Sequence, residues 1–330
     1  YFTTHTLVDT ADKFCKIGGR YLFIDEIHKY ENWSREIKEI YDLHRELHIV
    51  ISGSSLLQIN DGHSDLSRRL TEYQMSGLSF REFMCMMTGV NIEPIELSSL
   101  LNSPNLFCQE VKRHFHPLEY FHLYLKEGYY PFYFENKKMY HNVIENVINY
   151  IVDNELTMFR GLEVGNSRRI KALLQVLSKM VPYEVDISKL SRTIGIQRPT
   201  TLKYLKNLEE AALIRRLFTK IDTITDLQKP DKILIDNSNI LYTLSDSNPE
   251  IGTVRETFFC NQLCAAGHIV EYGGLKTGDF RIDKEIVIEV GGSDKGLKQI
   301  QNEEYGYVAA DDIDNAIFRK IPLWAFGFLY

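Results

Sequence analysis

Tyr21-Leu22-Phe23-Ile24 is a short apolar and aromatic run that stops on two acids, Asp25 and Glu26. Its length and its lack of helical spacing predict a buried strand that delivers carboxylates at its C-terminal edge. After Trp33-Ser34 the period changes. Ile37, Ile40, Tyr41, His44 and Leu47 share one face, while Glu36, Lys38, Glu39, Arg45 and Glu46 lie mostly on the other. That is an amphipathic helix, with Ser34 as its expected cap. Ile49-Val50-Ile51 then reads as a second buried strand, stopped by Ser52-Gly53-Ser54-Ser55. Strand, helix and strand within about 30 residues form a βαβ unit, so the sheet should be parallel and its ligands should sit at the carboxyl ends of the strands.

Beyond Gly77 the pattern turns helical, with Tyr, Phe and Met on apolar faces, and residues 139–160 and 166–181 read as two further helices. From Asp186 a sharper arrangement appears. Ile187, Leu190 and Ile194 mark a short helix that Gly195 ends, and Arg198-Pro199 opens a second with Leu202, Leu205 and Leu208 inward. Proline suits a first helical turn, where its missing N–H costs nothing. Leu213 to Phe218 alternates as a strand. Helix, tight turn, helix, strand is the plan of a winged helix-turn-helix. The last hundred residues predict a helix over Val254–Ala266 and strands at 269–272, 279–282 and 286–290, the last two joined through Asp283-Lys284 as a hairpin. No internal repeat is present.

Composition narrows the class. The 330 residues are 44% hydrophobic, 12% aromatic and 25% charged, which excludes disordered and low-complexity chains and suffices for two or three domains. No apolar stretch approaches the roughly 20 residues of a membrane-spanning helix, so a soluble, cytoplasmic protein is expected. A net charge of −7 argues against coating nucleic acid by charge alone. Cysteines 15, 85, 108, 260 and 264 are too scattered for a disulfide framework. Cys260 and Cys264 read as core thiols, and His114, His116 and His122 as solvated or partly buried side chains. Tyr1 is followed by no targeting pattern, and the N-terminus reads as cut.

An apolar strand ending in Asp-Glu serves nucleotide hydrolysis when the first carboxylate holds Mg²⁺ and the second polarises the attacking water. Asp25 and Glu26 fit those roles, with the Ser52–Ser55 cluster beside the γ-phosphate. No G-x-x-x-x-G-K-[ST] phosphate loop occurs in the 330 residues, and Gly18-Gly19-Arg20 leads into a strand instead of a helix. YLFIDEIHKY (21–30), ISGSS (51–55) and LSFREF (78–83) resemble a large prokaryotic group of AAA-type ATP-binding proteins. In that group an ATPase core is joined to a C-terminal domain of unknown function that contains a winged helix and a restriction-endonuclease-like fold. The resemblance spans nearly the whole chain. It implies an α/β architecture in four parts: residues 1–76 as the C-terminal half of a P-loop NTPase core, 77–165 as a helical lid and linker, 166–222 as the winged helix, and 223–330 as the restriction-endonuclease-like domain. It further implies Asp25 as the Mg²⁺-side Walker B acid, Glu26 as the catalytic base, Ser52 or Ser54 as the sensor, and Arg68 or Arg69 as a γ-phosphate-facing arginine. Its Walker A loop lies upstream of the Walker B strand, so the resemblance places that loop before Tyr1. ATP and Mg²⁺ are expected for the complete protein. The chain as written is expected neither to bind ATP tightly nor to hydrolyse it.

Two further constellations bear on partners. Residues 186–220 hold eight Lys or Arg against three acids, a local +5 inside a −7 chain. Gln197, Arg198, Thr200, Thr201, Lys203 and Lys206 are the candidates to face a DNA groove and its phosphates, although winged helices also serve as protein-packing modules. Near the C-terminus, Asp279 and Glu289, joined by Glu256, match the acids of a Mg²⁺-dependent nuclease. Such a site needs a lysine two residues after the second acid, and position 291 is Gly. Lys295 or Lys298 is the remaining source of that charge. Readings other than the ATPase are therefore a metal-dependent nuclease and a non-catalytic interaction protein, with oligomer formation left open.

Overall fold

The computed structural model describes residues 5–53, 66, 69–156, 164–179, 185–219, 229–274 and 277–330. The chain divides into two compact units, Tyr1–Met75 with Asp153–Glu163, and Ser76–Val152 with Val164–Tyr330. The fold is mixed α/β, with a small parallel sheet in the first unit and a mixed five-stranded sheet in the second.

In the first unit α1 (Leu7–Lys16) precedes β1 (Tyr21–Ile24), α2 (Trp33–Leu43) and β2 (His48–Ile51). The strands pair in parallel with Ile24 opposite Ile51, as the βαβ pattern predicts. Leu22, Ile24, Ile49 and Ile51 pack against the core of Leu7, Ala11, Trp33, Ile37, Ile40 and Leu47. The expected burial of both strands holds on that face alone. Tyr21, Phe23 and Val50 point the other way and are exposed, because α1 and α2 cover one side of the pair. The helix is not capped by Ser34. Asn32 takes the cap position and Trp33 begins the first turn, where its indole is buried with Ile37 and Ile40.

The second unit opens with α3 (Phe80–Thr88), set by a capping box in which Ser79 and Glu82 each bond the other's backbone N–H. Four helices follow: α4 (Leu97–Asn102), α5 (Pro104–Lys112), α6 (Pro117–Glu127) and α7 (Tyr140–Tyr150). The next three, α8 (Ser167–Lys179), α9 (Ile187–Ile194) and α10 (Arg198–Glu210), lead into an antiparallel hairpin of β3 (Ile214–Leu217) and β4 (Lys232–Ile235). Then come α11 (Ser238–Leu244), α12 (Ile251–Ala265) and the five strands β5 (Val270–Tyr272), β6 (Phe280–Ile282), β7 (Ile286–Gly291), β8 (Gly306–Ala310) and β9 (Lys320–Pro322) in that spatial order. The first two pairings are antiparallel and the last two parallel. Asp283 and Lys284 both take left-handed backbone, making the tight β6–β7 turn the sequence predicts.

Burial in this unit centres on α12, which is covered on most sides and buries polar as well as apolar side chains. Phe258 meets Phe121 of α6, and Phe259 meets Phe280 of β6 and Phe326 of the C-terminal 3₁₀ turn. Polar groups inside are bonded. Asn239 donates to the carbonyls of Tyr124 and Leu125 at the end of α6 and accepts from the Tyr129 N–H and the Tyr140 hydroxyl. Without these bonds each buried group would cost about 1–3 kcal/mol.

Candidate functional site

Asp25 and Ser52 are the first residues past β1 and β2, so the parallel register sets them side by side at the carboxyl edge. The Ser52 hydroxyl donates to Asp25 Oδ1, which also accepts the Glu26 N–H at 3.0 Å. The backbone closes the same corner: Ser52 N–H donates to the Ile24 carbonyl at 2.9 Å, and Ile27 N–H to the Ser52 carbonyl at 3.0 Å. Glu26 occupies left-handed backbone at φ 54°, which is uncommon outside glycine and turns the chain sharply away from the strand. Its carboxylate meets Lys29 Nζ at 3.0 Å. Asp25 is exposed and Glu26 half-buried. Oxygen donors at an open strand edge are the ligand type that Mg²⁺ takes, leaving its other positions to water and phosphate.

Arg69 stands elsewhere. Its guanidinium binds Asp42 with contacts of 3.1 and 3.2 Å. Asp42 lies in the last turn of α2, the end that returns the chain to the start of β2, whereas Asp25 lies where the strands finish. A helix of this length carries the two apart by about 15 Å, so Arg69 is withdrawn from the Asp25–Ser52 corner. Ser54 and Arg68 lie outside the described residues.

The helix-turn-helix forms as the sequence predicts. Asp186 caps α9 by accepting from the Lys189 N–H at 3.0 Å, Gly195 ends it at φ 67°, and Pro199 sits in the first turn of α10. Gln197, Arg198 and Lys203 are exposed and Thr200 is half-buried. Thr201 is corrected: it is fully buried, and its hydroxyl bonds Ser191 at 2.8 Å and the Gln197 carbonyl at 3.2 Å, fastening the two helices together. Lys206 approaches Glu210 at 3.7 Å. Buried Asp236, outside that segment, meets one of its positive charges by pairing with Arg215 at 3.0 Å. Arg216 binds Glu209, an acid already counted in the +5, through its backbone N–H and guanidinium.

Two of the C-terminal acids face each other, but Glu256, Asp279 and Glu289 are not among the groups whose ligand atoms lie within 4.8 Å of one another. The β6–β7 register sets Asp279 across from Glu289, and Asp279 Oδ2 accepts the Val290 N–H at 2.8 Å. Glu256 arrives from α12. Burial pushes its carboxyl up to about 7, an effect that Lys232 opposes and that Asp279 and Glu289 reinforce. Glu289 is also raised, first by burial and then by Asp279. Sequence reasoning missed Lys232. From the first position of β4, 2% exposed, it reaches Glu256 at 2.6 Å and Asp279 at 3.9 Å. The one available signal was a lysine leading directly into the apolar run Ile233-Leu234-Ile235. Of the two downstream lysines, Lys295 makes an ion pair with Glu289.

A second group also escaped the sequence. His122, Asp311 and Asp312 bring one ligand atom each to within 4.8 Å of one another. Arg255 already serves both acids, at 2.8 Å to Asp311 and 3.1 Å to Asp312, so their charge is met by the protein. Among the described residues, no helix is long and apolar enough to cross a membrane.

Comparison with known proteins gives two family matches. Residues 3–84 match the family model of an AAA domain. The segment holding Asp25 and Ser52 is thus related to AAA-family ATPases. Residues 118–250 match a domain of unknown function, DUF8612. The chain is similar to a solved structure described as the Walker-type ATPase paby2304 of Pyrococcus abyssi, at 15% identity over 73% of this chain and 69% of that one, with a TM-score of 0.41. No curated protein matches the sequence.

Proposed function

We propose that the protein works as a Mg²⁺-dependent ATPase of the AAA type, with residues 5–53 supplying its Walker B edge and the second unit engaging DNA. The observation that carries this reading is the Asp25–Ser52 pairing at the carboxyl end of two parallel strands, within a segment that matches the AAA domain. Asp25 is the Mg²⁺-side carboxylate and Ser52 holds its orientation. Glu26, turned off the strand by its left-handed backbone, is the group that polarises water. Mg²⁺ would supply charge neutralisation at the β- and γ-phosphates. These 330 residues contain no G-x-x-x-x-G-K-[ST] motif, and none of them is assigned the phosphate-binding loop. The DNA-facing group is Gln197, Arg198, Thr200 and Lys203.

The test is ATP turnover by the protein expressed from its complete reading frame. Glu26→Gln should abolish hydrolysis while keeping ATP bound, and Asp25→Asn should remove the Mg²⁺ dependence of binding. Turnover that survives Glu26→Gln would overturn the assignment.

A further inference from the structure

Arg255 engages one oxygen on each of two carboxylates. From α12 it donates through Nε to Asp311 Oδ2 at 2.8 Å and through Nη2 to Asp312 Oδ2 at 3.1 Å. It thus meets the two acids from the Oδ2 side, with one guanidinium for two carboxylates. On the other side, Asp311 Oδ1 accepts the Asp312 N–H at 2.9 Å, and Asp312 Oδ1 lies 3.2 Å from His122 Nε2 of α6. A carboxylate oxygen has about two lone-pair sites, so each Oδ1 still has one to give. One ligand atom from each of His122, Asp311 and Asp312 lies within 4.8 Å of the other two. Donors about 2.0–2.1 Å from a tetrahedral metal stand about 3.3–3.4 Å from one another. The His122–Asp312 spacing is already close to one edge of such a shell.

The fold holds these donors from both sides. Asp311 is the first residue past β8, and its N–H donates at 2.8 Å to the carbonyl of Gly291, the last residue of the parallel neighbour β7. Carboxyl ends of parallel strands are where the loops of a sheet gather around ligands. The loop that carries the acids is fastened further along. Asn105 bonds Ala316 in both directions, at 3.0 and 2.9 Å, and Trp324 Nε1 donates to the Ile313 carbonyl at 3.2 Å. Next to His122, Phe121 is fully buried against Phe258. Donors fixed in this way meet a cation at little ordering cost. Asp311 is buried, while His122 and Asp312 are about half exposed, so the group opens to water on their side.

We propose that His122, Asp311 and Asp312 bind one divalent cation of the zinc class, with Arg255 as the positioning residue that orients both carboxylates. An imidazole nitrogen beside carboxylate oxygens suits a first-row dication better than Mg²⁺ or Ca²⁺, which take oxygen ligands. Carboxylates that bind metal are themselves hydrogen-bonded from outside, and Arg255 fills that part. Three protein donors leave the fourth position to water. The cation ties α6 to the end of β8 across 190 positions of sequence, so occupancy and thermal stability rise together.

The experiment uses the full chain, stripped with a chelator and titrated calorimetrically with Zn²⁺ alone, with Asp25→Asn in every protein so that the strand edge of the first unit does not report. One Zn²⁺ per chain should bind, and the melting midpoint should rise with it. His122→Ala and Asp312→Asn, both at half-exposed positions, should each weaken binding by at least about 10- to 100-fold and abolish the rise. Arg255→Lys should weaken it by about 10-fold. His114→Ala, at another exposed histidine, should match the parent. X-ray absorption of the zinc-loaded parent, which needs no variant, should show one imidazole among oxygen ligands and no sulfur. No Zn²⁺ bound, affinity unchanged in both ligand variants, an equal loss in His114→Ala, or sulfur around the zinc overturns the site. Unchanged affinity in Arg255→Lys overturns the positioning role.

Discussion

Lys232 Nζ lies 2.6 Å from Glu256 Oε2, and the lysine is 2% exposed. Two charges removed from water in this way stabilise the fold only as a pair, because deleting one leaves the other buried and unmatched. Lys232→Met should therefore lower the unfolding free energy by about 3–5 kcal/mol. The double variant with Glu256→Gln should lose clearly less than the sum of the two single losses. Urea denaturation of the four proteins checks this, and strictly additive losses would show that the two side chains act separately.

The exposed edge of the helix-turn-helix separates two kinds of residue that the sequence treats alike. Arg198→Ala and Lys203→Ala should each weaken duplex binding and reduce the slope of log affinity against log salt by about one. Thr201→Val should leave that slope unchanged and cost about 1 kcal/mol of stability, since its hydroxyl bonds Ser191 inside the fold. Fluorescence anisotropy across a salt series gives both numbers. A full-sized binding defect in Thr201→Val with unaltered stability would return that residue to the interface.

Ser79 is fully buried at the head of α3 and reciprocates bonds with Glu82, at 3.1 Å to the Glu82 N–H and 2.9 Å from its own. Ser79→Ala should cost about 1–2 kcal/mol. A calorimetric melt of the variant should show the loss, whereas Ser34→Ala, inside the first turn of α2 and not at its cap, should change little.

His141 introduces a pH dependence. Burial holds its imidazole below the usual histidine range, against the opposing pull of Glu127, while Nδ1 meets the Thr243 hydroxyl at 2.8 Å. The folded state thus prefers the neutral ring and the unfolded state takes up the proton more readily. Its contribution is present above the unfolded value near 6.5 and is lost as pH falls through the lower folded value. Glu256, raised to about 7, pulls parent and variant alike the other way, so the test is the difference: between pH 7.5 and 5 the unfolding free energy of the parent should fall relative to that of His141→Gln. Identical slopes in the two proteins would assign the acid sensitivity to other groups.

Periodicity carried much of the architecture. The βαβ order, the helix-turn-helix with Gly195 and Pro199 at its joints, and the Asp283-Lys284 hairpin all follow from local spacing, because each depends on backbone preferences within a few residues. What spacing could not reach was anything decided by a distant neighbour. Tyr21, Phe23 and Val50 read as interior residues, but burial depends on which faces of a strand pair are covered. Thr201 shares its helix with Thr200 and Lys203, and only the packing of Ser191 turns it inward. Lys232 joins Glu256 from 24 positions away, and Lys295 pairs with Glu289 while packed over Gly291, relations visible in space and not in register. Arg69 illustrates the converse: paired arginines near a serine cluster suggested phosphate, while Asp42 claims the one that is described.

The second unit joins its earliest segment to its latest. Arg81 donates to the Tyr330 carbonyl at 2.8 Å, the Tyr330 hydroxyl donates to the Gly77 carbonyl at 3.0 Å, and the Phe80 ring is packed edge-on by Phe328. During synthesis, α3 therefore leaves the ribosome some 240 residues before the groups that cover it, an interval on the order of tens of seconds at typical elongation rates. Until residues 323–330 emerge, Phe80 lacks its final cover, and the nascent chain keeps part of that apolar face open to water.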